Sequence, residues 1–284
     1  MTTHVRLDDG DLFVRQDGPR DAPVLLLVHG SAATVRSWDA LVPLLTANHH
    51  VIRVDLLGHG RSSEPSAHGY DIQAQARRTG EALDRLGVRE VVAAGHSSGG
   101  LTVTALAEQR PDLVTGIVLI NTGPSLDAFI PQESGAGPAQ WPPTDEEIRR
   151  FASTGFSTPG YEIPQALVDE VRTMSAQAFA GTQQAARDYL ERQALPERLK
   201  AVAKPLLVIF GEDDRRWRSS SVAGYRAVPG ARVEMLPGVG HSPLLEDPPR
   251  TAAPLLAFAA TTPGDVQGTR LLPEAHAEDP SPAR

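Results

Sequence analysis

Apolar residues fall into two rhythms along this chain. Short unbroken runs alternate with longer segments in which apolar positions recur every three or four residues. Residues 4–16 alternate weakly around Asp9-Gly10, which predicts an edge hairpin turning at those two residues. Val24–Val28 is continuously apolar and ends at His29-Gly30. A strand apolar on both faces belongs inside a mostly parallel sheet. Residues 34–46 carry Trp38, Leu41, Leu44 and Leu45 at helical spacing, with Thr34 as cap. Residues 51–55 form the next strand and run into the glycine-rich turn 58–62. Ile72, Ala76, Leu83 and Leu86 mark a helix that Gly87 ends. Residues 90–94 and 114–120 are further strands, with a small-residue helix over 100–110 between them. This pace of alternation describes βαβ units and a parallel sheet.

The alternation stops after residue 122. Residues 123–143 are rich in Pro and Gly. Thr144 and Glu147 form a capping box for a helix through Phe151. Residues 164–178 and 183–193 have helical spacing. The stretch 123–195 therefore reads as an inserted helical cap, too short for a comfortable core of its own. Strands resume at 206–210 and 232–236, with a short helix at 219–227. Pro254 inside a helix would cost ~3 kcal/mol, so the last helix is expected to begin near residue 251, capped by Thr251. The expected organisation is an α/β core over 1–122 and 196–260, the cap between them, and a disordered polar tail over 261–284.

Composition narrows the function. A net charge of -8 argues against a nucleic-acid partner. Cysteine is absent, which removes disulfides, thiolate metal sites and a cysteine nucleophile. No run approaches the ~20 apolar residues of a membrane span, and the first residues lack the apolar stretch of a signal peptide. The expectation is a cytoplasmic protein with no membrane partner. The histidines show no metal-ligand pattern and no dinucleotide fingerprint follows a strand, so no metal and no cofactor is expected.

Three groups fall at expected strand ends, where open α/β sheets bind ligands. Ser97 sits in Gly95-His96-Ser97-Ser98-Gly99, an acid lies within Asp213-Asp214, and His241 follows Gly240. A serine hydroxyl needs a base during attack, and the base needs an acceptor on its other ring nitrogen. The glycines two residues either side of Ser97 single it out from Ser98. His29 and His96 are read as braces of tight turns. Trp38, Phe129, Trp141 and Trp217 are candidates to line a pocket, with core or cap packing as the alternative for each.

Five motifs occur in order: His29-Gly30-Ser31, Asp55-x-x-Gly58-His59-Gly60-x-Ser62, Gly95-His96-Ser97-Ser98-Gly99-Gly100, Gly211-x-x-Asp214, and Gly240-His241-x-x-x-x-Glu246-x-Pro248. In these the chain resembles the α/β-hydrolase fold family, in its small, cap-bearing, cofactor-free branch. The resemblance implies Ser97 as nucleophile, His241 as general base and Asp214, rather than Asp213, as the acid. It implies an oxyanion hole from the backbone amides of Ser31 and Ser98. The expected activity is hydrolysis of a small to medium carboxylic ester or lactone through an acyl-enzyme. Cofactor-free haloperoxidases (perhydrolases) are an alternative on the same residues, as are other acyl or carbon–carbon bond hydrolases. A ligand-binding receptor on this scaffold is a third class. The motifs leave the oligomeric state open.

Overall fold

The computed structural model describes residues 1–65, 69–132, 140–158 and 160–262. Eight strands form one sheet: β1 (Thr2–Leu7), β2 (Gly10–Asp17), β3 (Val24–Val28), β4 (His50–Val54), β5 (Val91–His96), β6 (Val114–Ile120), β7 (Leu206–Gly211) and β8 (Arg232–Leu236). Their order is β1-β2-β4-β3-β5-β6-β7-β8. β1 and β2 form the expected edge hairpin, but Leu7 pairs with Gly10, so the two-residue turn is Asp8-Asp9 and not Asp9-Gly10; β2 is antiparallel to β4. All other pairings are parallel. The architecture is the α/β-hydrolase fold.

The central strands read as unbroken apolar runs because helices cover both faces. Leu26, Val28, Ala93, Leu119 and Val208 point to one face, under α2 (Ile72–Arg85) and α3 (Ser98–Gln109). Leu25, Leu27, Ala94, Ile120 and Ile209 point to the other, against Trp38, α1 (Val42–Leu45) and the last two helices, α8 (Pro243–Glu246) and α9 (Pro248–Ala259). α3 lies deep in the molecule and is buried along Gly99 to Ala107, so its small residues allow close approach to the sheet. Trp38 belongs to this core. It is fully buried, so the pocket position considered for it is not where it lies.

From β3 the chain crosses to β4 on one side, and from β5 to β6 on the other. The crevice between the C-terminal ends of β3 and β5 is therefore a topological switch point, where open sheets bind ligands.

Among the described residues, four α-helices lie between β6 and β7: α4 (Asp145–Ser153), α5 (Gln165–Thr173), α6 (Ala176–Arg192) and α7 (Leu195–Val202). The Thr144–Glu147 capping box is formed at α4. Ile148, Phe156, Ile163 and Val168 make a small apolar cluster there. The spacing over 164–178 spans two helices, because Met174 is extended and Ser175 caps a fresh one. α7 was not expected from spacing. The helix expected over 34–46 is also divided: Thr34 caps a 3-10 turn over Val35–Trp38, and α1 restarts with Pro43 in its first turn, where no amide bond is lost.

The expected start of the last helix is corrected. Asp247, not Thr251, is its N-cap, and α9 begins at Pro248 with Pro254 in its interior. Ala252, Leu255 and Phe258 bury against the sheet. At ~1.5–3 kcal/mol for each large side chain, this burial offsets the ~3 kcal/mol cost of the proline. Thr251 instead donates its hydroxyl to the Asp247 carbonyl. Of the expected tail, residues 263–284 lie outside the described residues, as do 133–139 of the Pro/Gly-rich stretch. No described helix is long and apolar enough to cross a membrane.

Candidate active site

Ser97 joins β5 to α3 with φ 52° and ψ -123°. A non-glycine residue there stores ~1–3 kcal/mol of backbone strain, which surrounding structure must enforce. The neighbouring glycines do so. A Cβ on Gly95 would lie 2.3 Å from the Gly99 carbonyl oxygen, and one on Gly99 would lie 2.3 Å from that of Val28. Ser97 N donates to the Ile120 carbonyl, and Thr122 Oγ1 donates to the Ser97 carbonyl. The side chain is thus presented at the N-terminus of α3, where unpaired amides favour negative charge.

His241 follows β8, and Asp214 follows β7. His241 Nδ1 and Asp214 Oδ2 are 2.9 Å apart, and both side chains are buried. Asp214 Oδ2 also accepts from Asn121 Nδ2, and its Oδ1 accepts from the amides of Arg216 and Trp217. Burial raises the pKa of Asp214, but the His241 charge and these hydrogen bonds outweigh it, and the net shift is downward. The carboxylate is ionised and holds the imidazole with Nδ1 protonated. Asp213 is exposed, so of the two aspartates only Asp214 meets the histidine. His241 Nε2 is buried and has no hydrogen-bond partner among the described residues. Ser97 and His241 line one cavity, with no hydrogen bond between them.

Two histidines brace this arrangement through backbone bonds, as expected. His96 Nε2 donates to the His241 carbonyl at 2.8 Å, and the two rings lie 5.0 Å apart. His29 Nδ1 is 2.8 Å from the Gly30 carbonyl, and its Nε2 accepts from Leu56 N. Burial pulls the pKa of His29 down to about 4. Burial and then the His241 charge pull that of His96 down to about 3. Both rings are neutral at pH 7. The Ser31 and Ser98 hydroxyls are 2.9 Å apart and border the same cavity as Ser97. Gly30 passes so near that a Cβ there would lie 3.0 Å from Ser97 Cβ.

The cavity divides at Ser97. One branch, about 740 Å³ to its open mouth, runs under α4 and α5 and is walled by Ile148, Ile163, Leu167, Val171 and Leu245. The other, about 930 Å³, runs toward α6 past Leu101, Phe129, Leu190 and Trp217. Arg216 and Phe151 border both. Phe129 and Trp217 thus line the cavity, meeting edge to face at 5.4 Å. Trp141 does not. Its indole donates to the Met174 carbonyl, and its ring packs on Phe179 within the insertion. Among the described residues no cluster of His, Asp or Glu is arranged to hold a metal ion.

Three contributors were missed in the sequence. Asn121 holds Asp214 and also accepts from Gly211 N, tying β6 to the acid loop. Its place directly after β6, at the ligand-binding edge, was the available signal. Glu246 Oε1 accepts from Gly240 N, while Oε2 accepts from the amides and hydroxyls of Ser157 and Thr158. Arg216, two residues after the acid, enters the cavity wall.

Known proteins share this framework. A profile of the alpha/beta hydrolase family matches residues 25–253. An uncharacterized protein of Mycobacterium tuberculosis is 30% identical over 266 residues, covering 84% of this chain and 76% of its own. A bifunctional esterase/perhydrolase of Acinetobacter calcoaceticus is 27% identical, covering 90% and 98%. The crystal structure of a hydrolase from Pseudomonas aeruginosa superposes with a TM-score of 0.76 at 26% identity, covering 90% and 97%. With the switch-point crevice and the motifs at its edge, this match over most of the length places the chain in the alpha/beta hydrolase family, as a hydrolase.

Proposed function

We propose that the protein is a serine hydrolase of carboxylic esters or lactones, with Ser97, His241 and Asp214 as its catalytic triad. The observation that carries this reading is the state of His241: one ring nitrogen is bound to a buried carboxylate, while the other is unpaired in the cavity that Ser97 lines. That is the arrangement of a general base awaiting a proton.

Ser97 Oγ attacks the acyl carbon as His241 Nε2 takes its proton. The carbonyl π bond opens to an oxyanion, held by the amides of Ser98 and Ser31. As the intermediate collapses, the alkoxide leaves and takes the proton from His241. Water then attacks the acyl-enzyme, giving its proton to His241, and Ser97 recovers a proton as the acid departs. Helices α4 to α6 act as a cap that shapes the pocket. The apolar branch under α4 and α5 suits an alkyl or aryl group.

The test is hydrolysis of p-nitrophenyl acetate and butyrate. Ser97→Ala is expected to lower kcat/KM by ~10⁴-fold or more. Activity that survives the substitution excludes Ser97 as nucleophile. A second reading is suggested by the esterase/perhydrolase relative: peroxide replaces water at the acyl-enzyme and leaves as a peracid. Peroxide-dependent bromination in acetate buffer, absent in Ser97→Ala, is its signature.

A further inference from the structure

The branch toward α6 has an unusual charge. Arg216 and Arg187 line it, and no carboxylate does among the described residues. The chain as a whole has 35 acidic and 27 basic residues, so the cationic wall is a local feature. Arginines Arg53, Arg78 and Arg198, also drawn into the structure, each meet a carboxylate, at 2.6, 2.6 and 3.1 Å. Arg216 has no ion pair among the described residues. Its Nε donates to Thr154 Oγ1 and its Nη2 to the Phe151 carbonyl, and the guanidinium lies 4.8 Å from the centre of the Phe151 ring. These partners fix its plane without neutralising it. Burial lowers its pKa only to about 10, against the attraction of Asp214, so it is cationic at pH 7. Three of its five N–H donors have no acceptor among the described residues. Arg187 is exposed on α6 one turn after Gln183, which lines the same wall, and it too has no ion pair among the described residues.

A half-buried, oriented guanidinium without a close counter-ion is costly to hold unless it meets an anion in use. Its planar fork matches a carboxylate in two parallel hydrogen bonds. We infer that this branch binds a carboxylate carried by the substrate, with Arg216 as the specificity-determining contact and Arg187 attracting the anion at the mouth. The ester or lactone opened at Ser97 is then one whose remote end is acidic, with its apolar part in the opposite branch. The inference rests on the serine-hydrolase reading for its substrate class, but not for the anion site itself.

Binding tests the site without turnover. In Ser97→Ala protein, 4-phenylbutyrate is expected to bind at least ~10-fold more tightly than 4-phenylbutyramide, read by calorimetry and by quenching of tryptophan fluorescence. The difference should shrink in ~0.5 M salt. Equal affinities for acid and amide overturn the inference, whether or not esters are cleaved. Turnover then locates the anion. Wild-type protein is compared on 4-carboxyphenyl against 4-carbamoylphenyl butyrate, and on the 4-nitrophenyl half-ester of adipic acid against 4-nitrophenyl hexanoate. A charged-over-neutral preference in kcat/KM is expected in one pair, reduced to about unity by Arg216→Met and largely kept by Arg216→Lys. If Arg216→Met slows both members of the pair equally, Arg216 is only a tether between the acid loop and α4, and the specificity assignment falls. If no ester is cleaved while the acid still outcompetes the amide, the serine-hydrolase reading falls and the anion site stands.

Discussion

The C-terminal edge of the sheet and the insertion between β6 and β7 face each other across the cavity, and they are built on different terms. At the sheet edge, backbone meets backbone. Ser97 is held at a positive φ by glycines that leave no space for a Cβ, and Asp214 is held by two amides and a side-chain amide. In the insertion, amphipathic helices offer mostly apolar side chains to the cavity, with Glu170, Gln183 and Arg187 as polar exceptions. The first region tolerates few alternatives. In the second, another apolar residue of similar volume would serve nearly as well. Under the proposed function, the first would specify the chemistry and the second the choice of substrate.

The largest test of this contrast is Asp214→Asn. The amide keeps the shape of the acid but favours the wrong tautomer of His241, so kcat on p-nitrophenyl butyrate should fall by ~10⁴-fold while KM moves little. A loss under tenfold would remove Asp214 from the mechanism.

Acid should act on the sheet edge next. His29, His59 and His96 lie there, buried and neutral, with pKa values lowered to about 4, about 3 and about 3, chiefly by burial. In an unfolded chain they titrate near ~6.5. Below that pH the unfolded chain binds more protons than the folded one. The stability these residues confer is therefore whole above pH ~6.5 and declines toward pH ~4 and ~3, each with a slope approaching ~1.4 kcal/mol per pH unit. Residues 123–195 contain no histidine. Urea midpoints measured between pH 7.5 and 5 should fall steadily, and a flat profile would contradict the burial of these rings.

Gly99→Ala comes third. Its Cβ would press on the backbone of Val28 and His29, so a loss of about 3 kcal/mol or more is expected in thermal or urea unfolding. The smallest effect belongs to the insertion. Leu167→Ala should raise KM for p-nitrophenyl hexanoate a few-fold with kcat nearly unchanged, because it removes apolar wall from substrate and transition state alike. A large fall in kcat would mean that the division between the regions is less clean.

The same contrast explains what could be read from the chain. The strands were legible because burial on both faces demands unbroken apolar runs such as Val24–Val28 and Val114–Ile120. The three residues brought to one edge were legible because tight turns there require glycine at fixed offsets. Element boundaries set by packing were not legible. Pro254 looked like a helix start until the apolar face of α9 was seen against the sheet, and nothing in the spacing of 164–178 announces the break at Met174. The aromatic residues taught the same lesson. Trp38 and Trp217 look alike in sequence, yet one fills the core and the other the cavity wall, since only tertiary placement separates them.

The bonds of Glu246 and Arg216 have a mechanical consequence. One side chain fastens residues 157 and 158 to Gly240, next to the imidazole, and the other fastens residues 151 and 154 to the loop of the acid. The loops of His241 and Asp214 are therefore both riveted to a single stretch, 151–158. An outward swing of that stretch would either shear these rivets or drag His241 and Asp214 out of line. Under the proposed function, such a movement would uncouple the triad, so these bonds would tie opening to loss of reactivity. Hydrogen exchange at Gly240 N that rises in step with that of residues 157 and 158 would be its trace.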